Sequence, residues 1–248
     1  MRKLSLVILA ITCLFGGWTT PTVAQEEIVI ATRQNAITNR FAELVLKQAY
    51  GEVGIPVRFQ VYPDARSIIE ADLGRADGEM ARLEPVLKQY PNLRKVPVPI
   101  FYSELSAFVT ADHTLKITDW GSLNGLSLAT IQGFKYVQNK TAAYKPRIYQ
   151  TSDKVIEMVR NNRIDVGVLN RFLGQLAAKR MNAEHVVDIS PPLDRLPVFH
   201  MVHKRHETLI PKLSAVLEKM RASGELNRMW EKFTHHELEK AAEVAGLR

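Results

Sequence analysis

The residues best equipped for chemistry are few and scattered. His200, His203 and His206 recur at every third position, a spacing that raises the question of a metal site. On a strand, however, His200 and His203 point to opposite faces, and no nearby acid completes a ligand set, so no metal is expected. Glu79 and Glu84 flank Arg82 and could supply a general acid. Nothing in the sequence shows that either titrates abnormally. Gln132-Gly133 ends an apolar run and opens a helix whose backbone N–H groups could hold an anion. The alternative is a plain turn with glycine for steric reasons. Lys135, in the first helical turn, either adds charge there or faces solvent. Asn170 is either a polar ligand contact or the cap of the helix after it. The common hydrolase, zinc-protease and nucleotide signatures are missing: there is no GxSxG, HExxH, GxxxxGK[ST] or GxGxxG.

Composition narrows the setting. The chain has 248 residues, 46% hydrophobic and 24% charged, which excludes a disordered or collagen-like chain. The single cysteine, Cys13, excludes a disulfide scaffold, a thiolate zinc site and a CxxC redox pair. Arg2-Lys3, the apolar stretch Leu4 to Phe15 and Thr22-Val23-Ala24 follow the order of a secretory signal peptide cleaved near Ala24. The expected mature chain lacks cysteine. Its net charge is +7 less the two charges of Arg2 and Lys3, which leaves +5. No later stretch approaches 18 uninterrupted apolar residues, so a soluble mature protein is expected.

These residues need elements to position them. Ile28 to Ala31 reads as a short strand, and Phe41, Leu44, Val45 and Ala49 mark one face of a helix. Val57, Phe59 and Val61 alternate as in a strand, and Ser67 to Leu73 fits a short helix ended by Gly74. The order recurs: strand Leu126 to Ile131, strand Arg147 to Gln150, a helix capped by Ser152, strand Ile164 to Leu169, a helix from Arg171 and strand Val186 to Ile189. Between the series lie the Pro-rich segment Pro91 to Pro99 and then Ser106 to Thr110. After strand Val198 to Val202 come a helix from about Pro211 to Ala222 and a last one from Glu225, whose polar tail from His235 is expected to fray. Such βα alternation implies two α/β lobes with largely parallel sheets.

Five segments together resemble the periplasmic solute-binding proteins of the amino-acid (family 3) type. Leu73 to Gly78 (LGRADG) matches that family's L-x-x-G-[KR]-x-D-G step, Leu123 to Leu128 resembles its entry to the second lobe, and Gln132-Gly133 matches the "qG" that follows. Val159 to Asp165 resembles L-x-x-G-x-v-D, and Leu217 to Leu226 resembles the penultimate helix. The resemblance covers nearly all of the mature chain. It implies a two-lobed type II periplasmic-binding fold, each lobe a mostly parallel sheet flanked by helices, joined by two crossover strands. Lobe one would comprise 25–108 and 198–248, and lobe two 109–197, with crossings near Thr110 and Pro197. From 109 to 197 there are twelve Lys/Arg and eight Asp/Glu, against nineteen and eighteen in the rest of the mature chain. A basic second lobe favours an anionic ligand or an anionic lipid, the alternative being a solvated surface.

The resemblance also implies site residues. Arg82 is placed as a bidentate carboxylate clamp, the alternative being a surface arginine. Arg33, at the end of the first strand, and Tyr102, near the crossing, would reach the cleft. Gln132, Gly133, Phe134, Ser152 and Asn170 would come from lobe two. Three departures point away from an ordinary α-amino acid. Glu79-Met80-Ala81 lacks the hydroxyls usual before the arginine, Phe134 replaces a threonine, and Asn170 stands where an acid faces the ligand ammonium. Asp77 and Asp165 read as structural, in turns between helix and strand. The expected protein is a periplasmic, monomeric, non-enzymatic binder of a small polar anionic solute. It would need no cofactor or nucleic acid, and it would partner an inner-membrane ABC permease or a sensor. A periplasmic enzyme on the same fold, such as a dehydratase, is the alternative.

Overall fold

The computed structural model describes residues 27–34, 37–63 and 65–246. The stretch read as an export signal, with Cys13, lies outside them. The first apolar run becomes β1 (Ile28–Arg33), followed by α1 (Ile37–Glu52), β2 (Val57–Tyr62), α2 (Arg66–Asp72) and β3 (Gly78–Leu83). β1 pairs in parallel with β2 on one side and β3 on the other. Phe41, Ala42, Val45, Leu46 and Ala49 form the buried stripe of α1, at the i, i+4 spacing of a core-facing helix. Leu44 and Val61, which the sequence spacing turns inward, are 50% and 61% exposed instead. Val61 lies on β2, which is an edge strand and packs on one side only.

A short β4 (Leu93–Lys95) precedes the long β5 (Phe101–Thr110). Lobe two then repeats the first series as β6 (Leu128–Ile131), α3 (Lys135–Thr141), β7 (Arg147–Tyr149), α4 (Ser152–Arg160), β8 (Val166–Asn170), α5 (Arg171–Arg180) and β9 (Val186–Asp188). The chain returns through β10 (Asp194–His203) and ends in α6 (Ile210–Ala222) and α7 (Glu225–Val244). The strands form one curled sheet in the order β2-β1-β3-β10-β5-β8-β6-β7.

The repeat extends to single hydrogen bonds. Asp77 Oδ2 accepts the Val29 N–H at 2.8 Å, and the Asp77 N–H donates to the Val29 carbonyl at 2.7 Å. In lobe two, Asp165 Oδ2 accepts the Ser127 N–H at 2.7 Å, and the Asp165 N–H donates to the Ser127 carbonyl at 3.1 Å. Each aspartate thus locks the start of one strand to the start of its parallel neighbour. The structural reading of both residues follows directly.

β5 and β10 are antiparallel and carry the chain between lobes. Phe101 to Leu105 pair with β10, whereas Leu105 to Phe108 pair with β8 and Phe108 to Thr110 with β9. On β10, Asp194 to Val198 pair with β5, and Val198 to Val202 pair with β3. α6 returns to lobe one, where Leu213, Leu217 and Met220 share a core with α1. α7 bridges the lobes. Trp230 packs edge-on against Phe172 of α5 at 5.5 Å and against Phe41 of α1 at 4.9 Å, and stacks on Phe101 of β5 at 5.4 Å. The α7 tail does not fray at His235. It stays helical to Val244 because Glu237, itself buried, pairs with Arg40 at 3.0 Å and because Ala241 and Ala242 pack inward. Among the described residues no helix is long and apolar enough to cross a membrane.

Candidate functional site

Cross-strand register decides which side chains share a surface, because directly opposed residues project to the same side of a sheet. Along β10, Arg195 lies opposite Glu104, Pro197 opposite Tyr102, Phe199 opposite Arg82, and Met201 opposite Glu79. Alternation keeps 195, 197, 199 and 201 on one side. Glu79, Arg82, Tyr102, Glu104 and Arg195 therefore occupy one face of the crossover strands. Val198, His200 and Val202 occupy the other.

At the lobe-one end of that face, Arg82 is 13% exposed and fixed from two sides. Its Nε lies 2.7 Å from Oε1 of the fully buried Glu79, and its Nη2 donates to Ser67 Oγ of α2 at 2.6 Å. Burial pushes the Glu79 carboxyl above the ordinary carboxylate range, while the guanidinium groups of Arg82 and Arg33 pull it back. Arg33 and Arg82, near the carboxyl ends of β1 and β3, thus act on one carboxyl group that rises from the start of β3. Parallel α/β sheets bind ligands at such strand ends. The second acid of the sequence pair, Glu84, is engaged elsewhere, by Lys95 at 2.6 Å.

At the lobe-two end lies a chain of charges. Arg171 Nε pairs with Asp188 at 2.6 Å and its Nη1 with Glu104 at 3.3 Å, while Arg195 reaches the other Glu104 oxygen at 3.5 Å. The Arg195 guanidinium also lies 3.8 Å from the Tyr102 ring centroid, a cation–π contact. A cavity of about 460 Å³ opens here, lined among others by Tyr102, Glu104, Asn170, Arg171, Arg195 and Trp230. It draws on both lobes and on the strands between them.

The eight residues expected at the site fall into three groups. Arg82 pairs with Glu79, whose carboxyl also feels the charge of Arg33, and neither arginine is part of the cavity lining. Tyr102 and Asn170 line the cavity. Gln132, Gly133, Phe134 and Ser152 lie at the carboxyl edge of β6 and β7 and are not part of the cavity lining. Gly133 has φ +81°, so the turn there needs a residue that enters the left-handed region without cost. Phe134 packs against the lobe-two core rather than standing free. Asn170 is the helix cap: its Oδ1 accepts the Leu173 N–H at 3.0 Å and its Nδ2 donates to Ser103 Oγ at 3.0 Å. Ser152 is not a cap. Thr151 is the extended residue, and its hydroxyl accepts the Lys154 N–H at 3.2 Å, leaving Ser152 as the first helical residue.

The histidine triplet separates as its strand position requires. His200 is fully buried, its Nε2 2.9 Å from the Tyr50 hydroxyl and its Nδ1 3.0 Å from the Glu79 carbonyl oxygen. His206 Nε2 lies 2.6 Å from Asp77 at the far end of lobe one. No group of three metal-ligating side chains occurs among the described residues. Arg171, Arg195, Glu104 and Trp230 escaped the sequence reading. Arg195 and Glu104 share the alternation of their strands, a usable signal once the two strands are known to pair. Trp230 carries no such signal, because its place depends on how α7 packs.

No protein-family model matches the chain. An uncharacterised protein of Shewanella oneidensis is 23% identical over 196 residues, covering 76% of this chain and 74% of that one. Among solved structures, the ligand-binding core of GluR0 in complex with L-glutamate superposes with a TM-score of 0.69 at 9% identity, covering 85% of this chain and 99% of that one. The probable amino-acid ABC transporter extracellular-binding protein YtmK of Bacillus subtilis gives 0.69 at 14% identity, covering 84% and 98%. A histidine kinase sensor domain with similarity to periplasmic binding proteins gives 0.65 at 13% identity, covering 84% and 96%. The chain has the two-lobed type II periplasmic-binding fold.

Proposed function

We propose that the protein is an extracytoplasmic solute-binding protein. It captures a small, polar, anionic, amino-acid-like solute between its lobes and passes it to an inner-membrane ABC transporter or reports it to a sensor. The observation that carries this reading is the single face of the crossover strands. That face sets the anchored guanidinium of Arg82 at one end and, at the other, Arg195, which shares Glu104 with Arg171 of α5; the cavity built from both lobes opens at this second end, and Arg82 is not part of its lining. A cavity of about 460 Å³ suits a solute of amino-acid size with a few waters.

The charges favour an anion. Glu104 is shared between Arg171 and Arg195, and Glu79 faces Arg82, so each acid on the face already has a cation. Asn170 uses its oxygen to cap α5 and its amide to hold Ser103. The cavity wall carries the cations Arg171, Arg195 and Arg221 against the acids Glu104 and Glu231, an excess of positive charge that suits a carboxylate. Rotation of the lobes about β5 and β10 would change the cavity, which spans both lobes, so binding and closure are coupled. The likeness to a glutamate-binding core, to an amino-acid transporter component and to a sensor domain supports the solute class and both downstream routes.

Calorimetry on the exported protein tests the reading with matched pairs of α-amino acids and amine-free carboxylates. The expected result is saturable binding of a carboxylate that Arg82→Gln abolishes, with the ligand recovered unchanged. Tight binding of neutral solutes that survives Arg82→Gln contradicts it.

A further inference from the structure

The pairing of β3 with β10 slips by one residue at a single place. Phe199 faces Arg82, but two residues later Met201 faces Glu79. One residue of β10, His200, thus stands opposite two residues of β3, Met80 and Ala81. This is a β-bulge. Its consequence is geometric. In a regular strand residues three apart point to opposite faces, so Glu79 and Arg82 would be separated by the sheet. The extra residue restores them to one face, where Glu79 meets Arg82 Nε at 2.7 Å.

Side chains from behind the sheet hold the bulge. A carbonyl can only accept, so His200 Nδ1 carries the proton it donates to the Glu79 carbonyl at 3.0 Å. Its Nε2 is then the acceptor for the Tyr50 hydroxyl at 2.9 Å. His200 and Tyr50 are both fully buried. The relay runs from α1 through the imidazole to the backbone of the residue whose carboxylate fixes the arginine. We infer that His200, oriented by Tyr50, is a positioning residue for the anion site, acting by pinning the β3 bulge that puts Glu79 and Arg82 on the same face. The inference deepens the proposed function, since it rests on Arg82 being the anion donor.

The test is a double-variant cycle read without ligand. Carbon-13 NMR follows the Glu79 carboxyl through a pH titration in the full mature protein, in Arg82→Gln, in His200→Leu and in the double variant. The charged and polar groups facing Glu79 are Arg82, Arg33 and Ser67. Removing the Arg82 cation raises the Glu79 midpoint. If His200 acts through the bulge, His200→Leu raises it in the same direction, and adding Arg82→Gln moves it no further. His200→Asn, which keeps an N–H donor, stays near the wild-type midpoint. A wild-type midpoint in His200→Leu, or fully additive shifts, overturns the inference. Should His200→Leu fail to fold, Tyr50→Phe carries the test, and an unchanged midpoint there overturns it equally. Titration with glutarate reads the proposed function separately: His200→Leu and Arg82→Gln should each weaken it at least tenfold. Absence of glutarate binding at Arg82 in the wild type counts against the anion site and leaves the Glu79 result standing.

Discussion

Acidification should destabilise the protein through His200. The imidazole is fully buried and donates to a carbonyl through one nitrogen while accepting from Tyr50 through the other. Protonation would add a second donor facing the Tyr50 hydroxyl and a charge in a dry site. Burial accordingly lowers the His200 pKa from 6.5 to about 4. The unfolded chain takes up the proton near pH 6.5, whereas the native state resists until about pH 4. His200 therefore costs nothing above pH 6.5, and the penalty grows as pH falls through that window and levels off below it. A difference of about 2.5 units at 1.36 kcal/mol each gives a loss on the order of 3 kcal/mol. Urea unfolding of the wild type and of His200→Asn, at intervals between pH 7.5 and 4, measures it. Asp77, whose pKa the Val29 N–H, Arg205 and His206 lower against the opposing effect of burial, loses stability over a lower range in both proteins, so it cancels in the difference. The wild-type advantage should shrink by about 3 kcal/mol from pH 7 to pH 4. An advantage that is the same at both ends refutes the neutral, doubly bonded imidazole.

Three further outcomes are expected. Arg82→Lys keeps the charge but loses the planar fork that reaches Glu79 and Ser67 together, so anion binding should weaken roughly tenfold or more in calorimetry while the fold, read by circular dichroism, is unchanged. Gly174→Ala would place a methyl 2.2 Å from the Phe108 ring, too close for packing to absorb, and urea unfolding should show a loss of about 1–3 kcal/mol. Asn170→Ala removes the α5 cap and the tie to Ser103 and should cost about 1 kcal/mol, whereas Asn170→Asp keeps the cap, stays near wild-type stability and improves the binding of α-amino acids by restoring a negative charge at the cavity wall.

The parts legible in the sequence are those set by local pattern. The apolar run of β1, the i, i+4 stripe of α1 and the Asp77 and Asp165 turns follow from short-range pattern and hydrogen-bonding chemistry. The Ser152 cap misplaces the helix start by one residue because Thr151 and Ser152 can both cap, and only the backbone dihedrals choose between them. The α7 tail looks polar in isolation, but Arg40, nearly two hundred residues away, neutralises Glu237 and keeps it helical. Glu104 and Arg195 become site residues only through a pairing between strands ninety positions apart. The bulge that unites Glu79 with Arg82 leaves no trace in composition or spacing, since Met80-Ala81 reads like any strand interior. Register is a long-range property, and the site is built on register.

On the proposed function, one face of the crossover strands grips an anion through Arg82. Isothermal titration of the mature protein with L-glutamate and with glutarate, in the wild type and in Arg82→Gln, tests it most directly. The expected result is saturable binding in the wild type, glutarate at least as tight as glutamate, and both lost in the variant. Binding of either compound with the same affinity in Arg82→Gln contradicts it.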